Sequence, residues 1–371
     1  MKAIVSVTND IYTDQRVHKV CTFLLKQGYE VTLVGRKRKR SLPLTPRKYK
    51  TKRLKLLFET GAKFYAFFNI RLFFYLLFHR ADVLVANDLD TLLANFLASK
   101  MKRNCKLVYD SHEYFTEVPE LISRPKVQNV WLRIERFIFP KLDYIYTVND
   151  SIAKIYRDLY KKEVKVVRNI SPLWKPTGLK TKQELGIPEN KNLIILQGAG
   201  INVDRGAEEA VEAMQYIDAV LMIVGDGDVV PELRNRVVEL KLQEKVIFFG
   251  KKPYDLMMNY TFYADIGLTL DKATNLNYKL SLPNKVFDYM HTTTAVVATN
   301  IKEVANVVQS NNIGEVLTEF TVKNLATTIQ VLFKDKERLE EYKKNCITAS
   351  KSENWENETN ILAQIYPKIE K

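Results

Sequence analysis

The sequence predicts an α/β protein built from two doubly wound parallel sheets, and three observations carry that prediction. Short β-rich runs alternate with longer amphipathic ones, the alternation restarts after a turn-rich stretch, and 371 residues exceed what one ordinary core accommodates. In the first half, Ala3–Thr8 reads as a strand, Gln15–Gln27 as an amphipathic helix and Glu30–Val34 as the next strand. Asp82–Ala86, Lys106–Tyr109 and Tyr144–Val148 are further apolar runs, each beside a helical segment. Apolar strands separated by helices belong to a parallel sheet covered on both faces. The stretch Ser171-Pro172-Leu173-Trp174-Lys175-Pro176-Thr177 reads as a linker. Leu193–Leu196, Val220–Val224, Val246–Phe249, Ile266–Leu270 and Ala295–Ala298 then supply the strands of a second sheet. From Glu353 to Lys371, the residues Trp355, Ile361, Leu362, Ile365 and Tyr366 fall at helical spacing and predict a terminal amphipathic helix. The expected organisation is residues 1–172, residues 173–352 and a last helix over 353–371. Ligands are expected at the C-terminal strand ends, in a cleft between the two sheets.

Composition narrows the function. A hydrophobic fraction of 46% and a charged fraction of 27% suit a globular chain, not a disordered one. Cys21, Cys105 and Cys346 lie far apart, which disfavours a disulfide framework or zinc site and favours a reducing compartment. The four histidines are also scattered, without metal-ligand spacing. The N-terminus has no signal-peptide pattern, so a cytoplasmic location is expected. The formal charge is +14, concentrated early in Arg36-Lys37-Arg38-Lys39-Arg40 and in Arg47, Lys48, Lys50, Lys52, Arg53 and Lys55. An aromatic stretch, Phe64 to Phe78, follows. It is broken by Asn69 and Arg71 and falls short of the roughly 20 apolar residues a spanning helix needs. A basic loop beside an aromatic helix suits a protein resting on the cytoplasmic face of an anionic membrane. The alternative is a solvated loop and a core helix. No nucleic-acid module is recognisable, so nucleic acid is not an expected partner.

Motifs concentrate in the second half. Ser281-Leu282-Pro283-Asn284-Lys285-Val286-Phe287-Asp288-Tyr289-Met290 precedes the apolar run Ala295-Val296-Val297-Ala298-Thr299. Lys285 and Asp288 stand about one helical turn apart and can point the same way from a helix start. A cation at a loop-to-helix junction suits an anion, and a carboxylate one turn on can accept hydrogen bonds from a ribose diol. Together they suit a nucleotide diphosphate. Gln197-Gly198-Ala199-Gly200 ends a strand, and Arg205-Gly206 begins a helix; glycines allow close backbone approach and Arg205 offers a bidentate phosphate donor. The alternative for Arg205 is a solvent-facing cap, and for Asp288 a carboxylate complementing a helix dipole.

The order and spacing of these segments, with Val224-Gly225-Asp226-Gly227-Asp228, Phe248-Phe249-Gly250 and Tyr263-Ala264-Asp265-Ile266-Gly267-Leu268, resemble the family 4 (group 1) retaining glycosyltransferases of the GT-B fold. The resemblance covers nearly the whole second half. It implies transfer of a sugar from a nucleotide diphosphate sugar, with retention, to the hydroxyl of a lipid-linked or cell-surface glycan. It also implies donor binding by Gly198, Gly200, Arg205, Asp226, Lys285 and Asp288, with Arg205 and Lys285 stabilising the leaving diphosphate in place of a metal. Asp88-Leu89-Asp90 and Asp226-Gly227-Asp228 mimic a metal-binding Asp-x-Asp but are read as structural. Two departures stand out: Leu280 occupies the place of a usual glutamate, and His291-Thr292-Thr293-Thr294 replaces a small-residue turn. Lys279, Ser281 or local backbone groups are the candidates to compensate for Leu280.

In the first half, Tyr109-Asp110-Ser111-His112-Glu113 ends a strand, and similar segments in these transferases bring a histidine to the transferred sugar. His112 is the expected catalytic residue; a histidine bonded within its own loop is the alternative. Adjacent Ser, His and Asp cannot form a hydrolase relay, and no nucleophile elbow is present. The loop Asn9-Asp10-Ile11-Tyr12-Thr13-Asp14-Gln15-Arg16 lacks the Gly-Gly pair that many relatives carry. Asp14 is positioned to cap a helix. Arg16, Asp88, Asp90 and Glu113 are expected on the acceptor side. Two rival readings are a nucleotide-sugar epimerase of the same fold and a non-catalytic membrane-associated protein with a degenerate site.

Overall fold

A computed structural model describes residues 1–12, 14–198 and 200–366. Thr13 of the first strand-helix loop, Ala199 of the Gln197–Gly200 segment and tail residues 367–371 lie outside the described residues. The chain forms two compact units, one of residues 1–169 with 358–371 and the other of residues 170–357.

The first unit holds a seven-stranded sheet of β1 (Lys2–Ser6), β2 (Glu30–Lys37), β3 (Lys50–Lys55), β4 (Val83–Asn87), β5 (Lys106–Ser111), β6 (Tyr144–Thr147) and β7 (Lys165–Val166). Its order is β3-β2-β1-β4-β5-β6-β7, with every pair parallel. Residues 2–26 show why the elements form. Ala3, Ile4 and Val5 are buried on both faces of the sheet. Asp14 accepts the Val17 N–H at 2.9 Å and caps the helix Gln15–Lys26, whose Val17, Val20, Cys21 and Leu24 share one buried face.

The aromatic stretch is a helix, Gly61–Phe78, and it has two unlike sides. Phe64, Phe68, Leu72 and Leu76 recur every fourth residue and pack on Ile4, Val34 and Leu84 of the sheet. Ile70, Phe74 and Phe78 on the rest of the helix are 54%, 50% and 77% exposed. The basic segment before it is not wholly a loop. Lys50–Lys55 is an edge strand with only Leu54 buried, and charged edges discourage pairing with other chains. Arg53 is tied to Asp10 at 3.2 Å and to the Leu42 carbonyl, and Arg47 to the Ile11 carbonyl.

The second unit holds β8 (Leu193–Gly198), β9 (Val220–Gly225), β10 (Val246–Phe248), β11 (Ile266–Thr269), β12 (Ala295–Thr299) and β13 (Gly314–Leu317). All pairs are parallel, in the order β10-β9-β8-β11-β12-β13. Alternate residues feed separate cores. Ile194 and Leu196 pack with helices Ala207–Ala213 and Val322–Lys334, whereas Leu193 and Ile195 pack with Lys285–His291 and Lys302–Ser310. The sheet is therefore covered on both faces. The last helix, Trp355–Ile365, starts with the Trp355 N–H on the Ser171 carbonyl. Its later residues join the first unit, where Glu358 takes Arg168 at 2.8 Å and Tyr366 packs on Phe23 and Tyr146.

Candidate functional site

In each sheet two neighbouring strands are not consecutive in the chain: β1 with β4, and β8 with β11. The loops leaving such a pair diverge, which opens a crevice at their carboxyl ends. Chemistry-bearing residues gather at both places, and each is described within its own unit.

In the second unit, glycine lets the loops close up. A Cβ on Gly225 would lie 1.9 Å from the Gly198 carbonyl oxygen, so the ends of β8 and β9 meet backbone to backbone. Gly206, at φ +73°, sits where a Cβ would come within 2.4 Å of Leu270. That contact sets Arg205 beside the exit of β11. Arg205 Nη1 donates to Asp271 Oδ1 at 2.7 Å, and its guanidinium lies 4.3 Å from the Tyr278 ring centroid. Lys285 Nζ stands 3.6 Å from Asp271 Oδ2. Asp271 is 2% exposed, while the side chains of Arg205 and Lys285 keep 29% and 13% of their surface in solvent. Burial would raise the Asp271 pKa, but Lys285 and Arg205 outweigh it and hold the carboxyl below its usual range.

Asp288 is brought near the same strand ends, with its carboxylate turned inward. Oδ1 accepts from the Tyr254 hydroxyl at 2.8 Å and from Ser171 at 3.0 Å, and Oδ2 accepts from Gln197 Nε2 at 3.2 Å. Gly198 ends β8 at φ +154°, and Gly200 follows in the same loop. Asp226 is exposed and accepts its neighbour Gly227's N–H at 2.9 Å. Its carbonyl accepts the Ile201 N–H, and the Asp228 N–H donates to Asn202. The Asp226-Gly227-Asp228 triplet thus supports the loop carrying Gly200 and Arg205. Among the described residues, no group of three or more His, Cys, Asp or Glu could hold a metal ion. Leu280 follows the one-turn helix Leu276–Lys279, capped by Asn275. In the Thr292–Thr294 turn, Thr293 takes φ +59°, a conformation that β-branched residues rarely adopt, while Thr292 and Thr294 pair their hydroxyls at 3.0 Å.

In the first unit the centre is His112. Its Nδ1 lies 3.3 Å from Asp88 Oδ2, and its Nε2 lies 3.2 Å from both Asp110 Oδ2 and Asn87 Oδ1. Its backbone N–H donates to Asp88 Oδ1 at 2.7 Å. Asp88 is held at φ +59° as β4 hands over to the helix Leu89–Met101, and this turns its carboxylate toward β5. Burial would lower the His112 pKa, but Asp88 and Asp110 lift it to about 9. Asp110 is fully buried; burial alone would raise its pKa, yet Arg16 and His112 bring it down to about 2. Glu113 follows, its carbonyl accepting from Ser111 Oγ at 2.8 Å.

Two of the residues expected on the acceptor side are corrected here. Arg16 is 4% exposed and faces inward, gripping Asp110 at 2.7 and 3.3 Å and the Val167 carbonyl at 3.0 Å. Asp90 is 7% exposed and accepts from Thr8 at 2.5 Å; burial, and then nearby Asp88, push its pKa up to about 8. Both are internal because the helices carrying them turn those faces to the sheet. Sequence reasoning missed Asp271 and Tyr254 as partners at these centres. Asp271 had a readable signal: it is the first charged residue after an apolar strand.

Comparison with known proteins follows the same division. Residues 14–170 match the model described as Glycosyltransferase Family 4, and residues 179–349 match Glycosyl transferases group 1. N-acetyl-alpha-D-glucosaminyl L-malate synthase of Bacillus anthracis is 24% identical over 252 residues, which span 65% of this chain and 62% of that protein. Sucrose-phosphate synthase from Thermosynechococcus elongatus has a TM-score of 0.80 at 16% identity, covering 99% of this chain and 98% of that one. HepE of Anabaena, solved in complex with UDP-glucose, has a TM-score of 0.73 at 15% identity, covering 98% and 100%.

Proposed function

The chain belongs to the group 1, family 4 glycosyltransferases and has their GT-B fold, and on that premise we propose that it moves a sugar from a nucleotide diphosphate sugar to a hydroxyl of a lipid-linked or cell-surface glycan. The observation that carries the donor assignment is the convergence of Arg205 and Lys285 on one buried carboxylate at the β8/β11 crevice. Two cations against one anion leave a positive charge unbalanced, which suits a diphosphate. A fixed cation facing charge that builds on a leaving group is worth about 10²–10³ in rate. In this reading the pair takes the part a metal plays elsewhere, and turnover should survive EDTA. HepE's complex with UDP-glucose supports a donor of this chemical class. Asp288 would reach the ribose by exchanging the Tyr254 hydroxyl for a ribose hydroxyl.

His112, charged at neutral pH by Asp88 and Asp110, would donate to the sugar and not abstract a proton. Transfer with retention would proceed by front-face attack, the departing diphosphate taking the acceptor's proton. The acceptor side would keep Asp88 and Glu113, without Arg16 and Asp90.

A peripheral place on an anionic membrane is part of the proposal. Support comes from a surface cavity of about 550 Å³ lined by Lys37, Arg38, Lys39, Lys55, Leu57 and Phe58, with the uncovered Ile70, Phe74 and Phe78 on the following helix. No helix among the described residues is long and apolar enough to cross a membrane. Incubating the protein with labelled nucleotide sugars and membrane extract tests the whole reading. A glycosylated lipid is expected. An epimerised nucleotide sugar, or no turnover with any donor, would refute it.

A further inference from the structure

Asp271 is more than a counter-ion for the two cations, and the asymmetry of its contacts is the reason. One oxygen is held firmly by Arg205 at 2.7 Å; the other is buried, makes no hydrogen bond among the described residues, and has Lys285 at 3.6 Å. The backbone that carries the carboxylate is tied down. The Asp271 carbonyl accepts from Thr299 Oγ1 at 2.7 Å, and the next residue's N–H, that of Lys272, donates to the Asp204 carbonyl at 2.8 Å. Lys272 Nζ also reaches Glu209 of the helix Ala207–Ala213 at 2.7 Å, so Lys272 ties the loop after β11 to the segment after β8. A fixed negative charge therefore stands directly behind the only two cations assigned to the phosphates.

Resting on the diphosphate reading above, we infer that Asp271 is a positioning residue that sets product release. It holds Arg205 in place, competes with phosphate oxygens for Lys285, and repels whatever anion the pair binds. Repulsion grows with the ligand's charge. A nucleoside diphosphate carries one more ionisable oxygen than its sugar ester, because the bond to the anomeric carbon has been replaced by a free phosphate oxygen. Asp271 thus weakens the product more than the donor. The cation pair can then stabilise the leaving group during transfer without trapping it afterwards.

The test is Asp271→Asn, with Asp271→Ser as a second variant should the first fail to fold. Wild type is screened by thermal shift against UDP, GDP and ADP, and the diphosphate that stabilises it is titrated by calorimetry alongside its glucose ester. In the variant, affinity for the diphosphate should rise by about tenfold and affinity for the ester by clearly less. Where turnover is measured, kcat and KM should fall together and product inhibition should deepen. A residue that merely holds the loop would do the opposite: its loss would weaken both ligands. Equal or weaker diphosphate binding in the variants overturns the inference while leaving the donor assignment standing. A wild type that binds none of the three diphosphates removes the donor assignment and the inference with it.

Discussion

The two units set similar strand-end crevices to opposite electrostatic tasks. In the second unit, Arg205 and Lys285 share a single carboxylate, Asp271, while the Asp288 carboxylate is turned inward onto Tyr254, Ser171 and Gln197, so two cations face the crevice with one counter-ion between them. In the first unit, Arg16 and His112 face Asp110 and Asp88, and Asp90 is largely protonated at neutral pH because its pKa is about 8. That centre is close to neutral. A positive crevice selects an anion; a balanced one, rich in fixed hydrogen-bonding groups, selects an uncharged polar ligand such as a sugar hydroxyl. Two sheets of the same winding are thus specialised by a few residues at their strand ends.

The contrast breaks most severely if the buried pair of the first unit is cut. Arg16→Ala would strand Asp110 without its main partner, and removing one member of a buried ion pair costs roughly 3–5 kcal/mol. Urea unfolding followed by Trp131, which lies in that unit, should show the loss; a cost below about 1 kcal/mol would mean the network is not what holds Asp110. The pH dependence has a definite sign. The Asp110 pKa is about 2 in the folded protein and near 3.8 unfolded, so its stabilisation is present above 3.8 and lost as pH falls through 2. In Arg16→Ala that acid-sensitive part should shrink.

Lys285→Ala breaks the contrast from the other side. It removes half of the cation pair and should lower kcat/KM by about 10²–10³ while erasing the thermal shift given by a nucleoside diphosphate. An unchanged shift would place the phosphates elsewhere.

His112 sharpens the comparison with a smaller effect. Its folded pKa of about 9 lies above the unfolded 6.5, so its stabilisation is complete below pH 6.5 and is lost as pH rises through 9. The amplitude is at most about 3 kcal/mol. Stability should fall more steeply across that window in wild type than in His112→Gln, which keeps only the loss up to about pH 8 that the raised Asp90 carboxyl contributes. A parallel fall in both proteins would assign the alkaline loss to another group.

How much of this was legible in sequence depended on the kind of signal. Apolar strands such as Ala295–Thr299 announced themselves, because a parallel strand buried on both faces is apolar throughout. Lys50–Lys55 did not: an edge strand with one buried residue looks like a charged loop. Lys165–Val166 is too short for any periodicity, and Gly314–Leu317 opens on glycine and glutamate. At the sites, His112, Arg205 and Lys285 stood out through residue type and place. Their partners did not. Asp110 and Asp271 are up to 94 residues from the cations they bind, and only sheet order brings them together. Inward or outward direction was equally hidden, which is why Arg16 and Asp90 were read as facing an acceptor.

The smallest effect on stability comes from the exposed side of the aromatic helix, and there the two sides of one element can be set against each other. Phe68 is fully buried, and Phe68→Ala should cost about 3–5 kcal/mol through lost burial and a residual cavity. Phe74 is half exposed, so Phe74→Ser should change stability by no more than about 0.5 kcal/mol. The same Phe74→Ser change, made with Phe78→Ser, should sharply reduce sedimentation with vesicles of anionic lipid if this side rests on a membrane. Replacing Lys37 and Lys39 by Glu should do likewise, and high salt should weaken wild-type binding. Undiminished binding by the aromatic double variant would mean that the basic residues act alone, and that the uncovered side of the helix is turned to water.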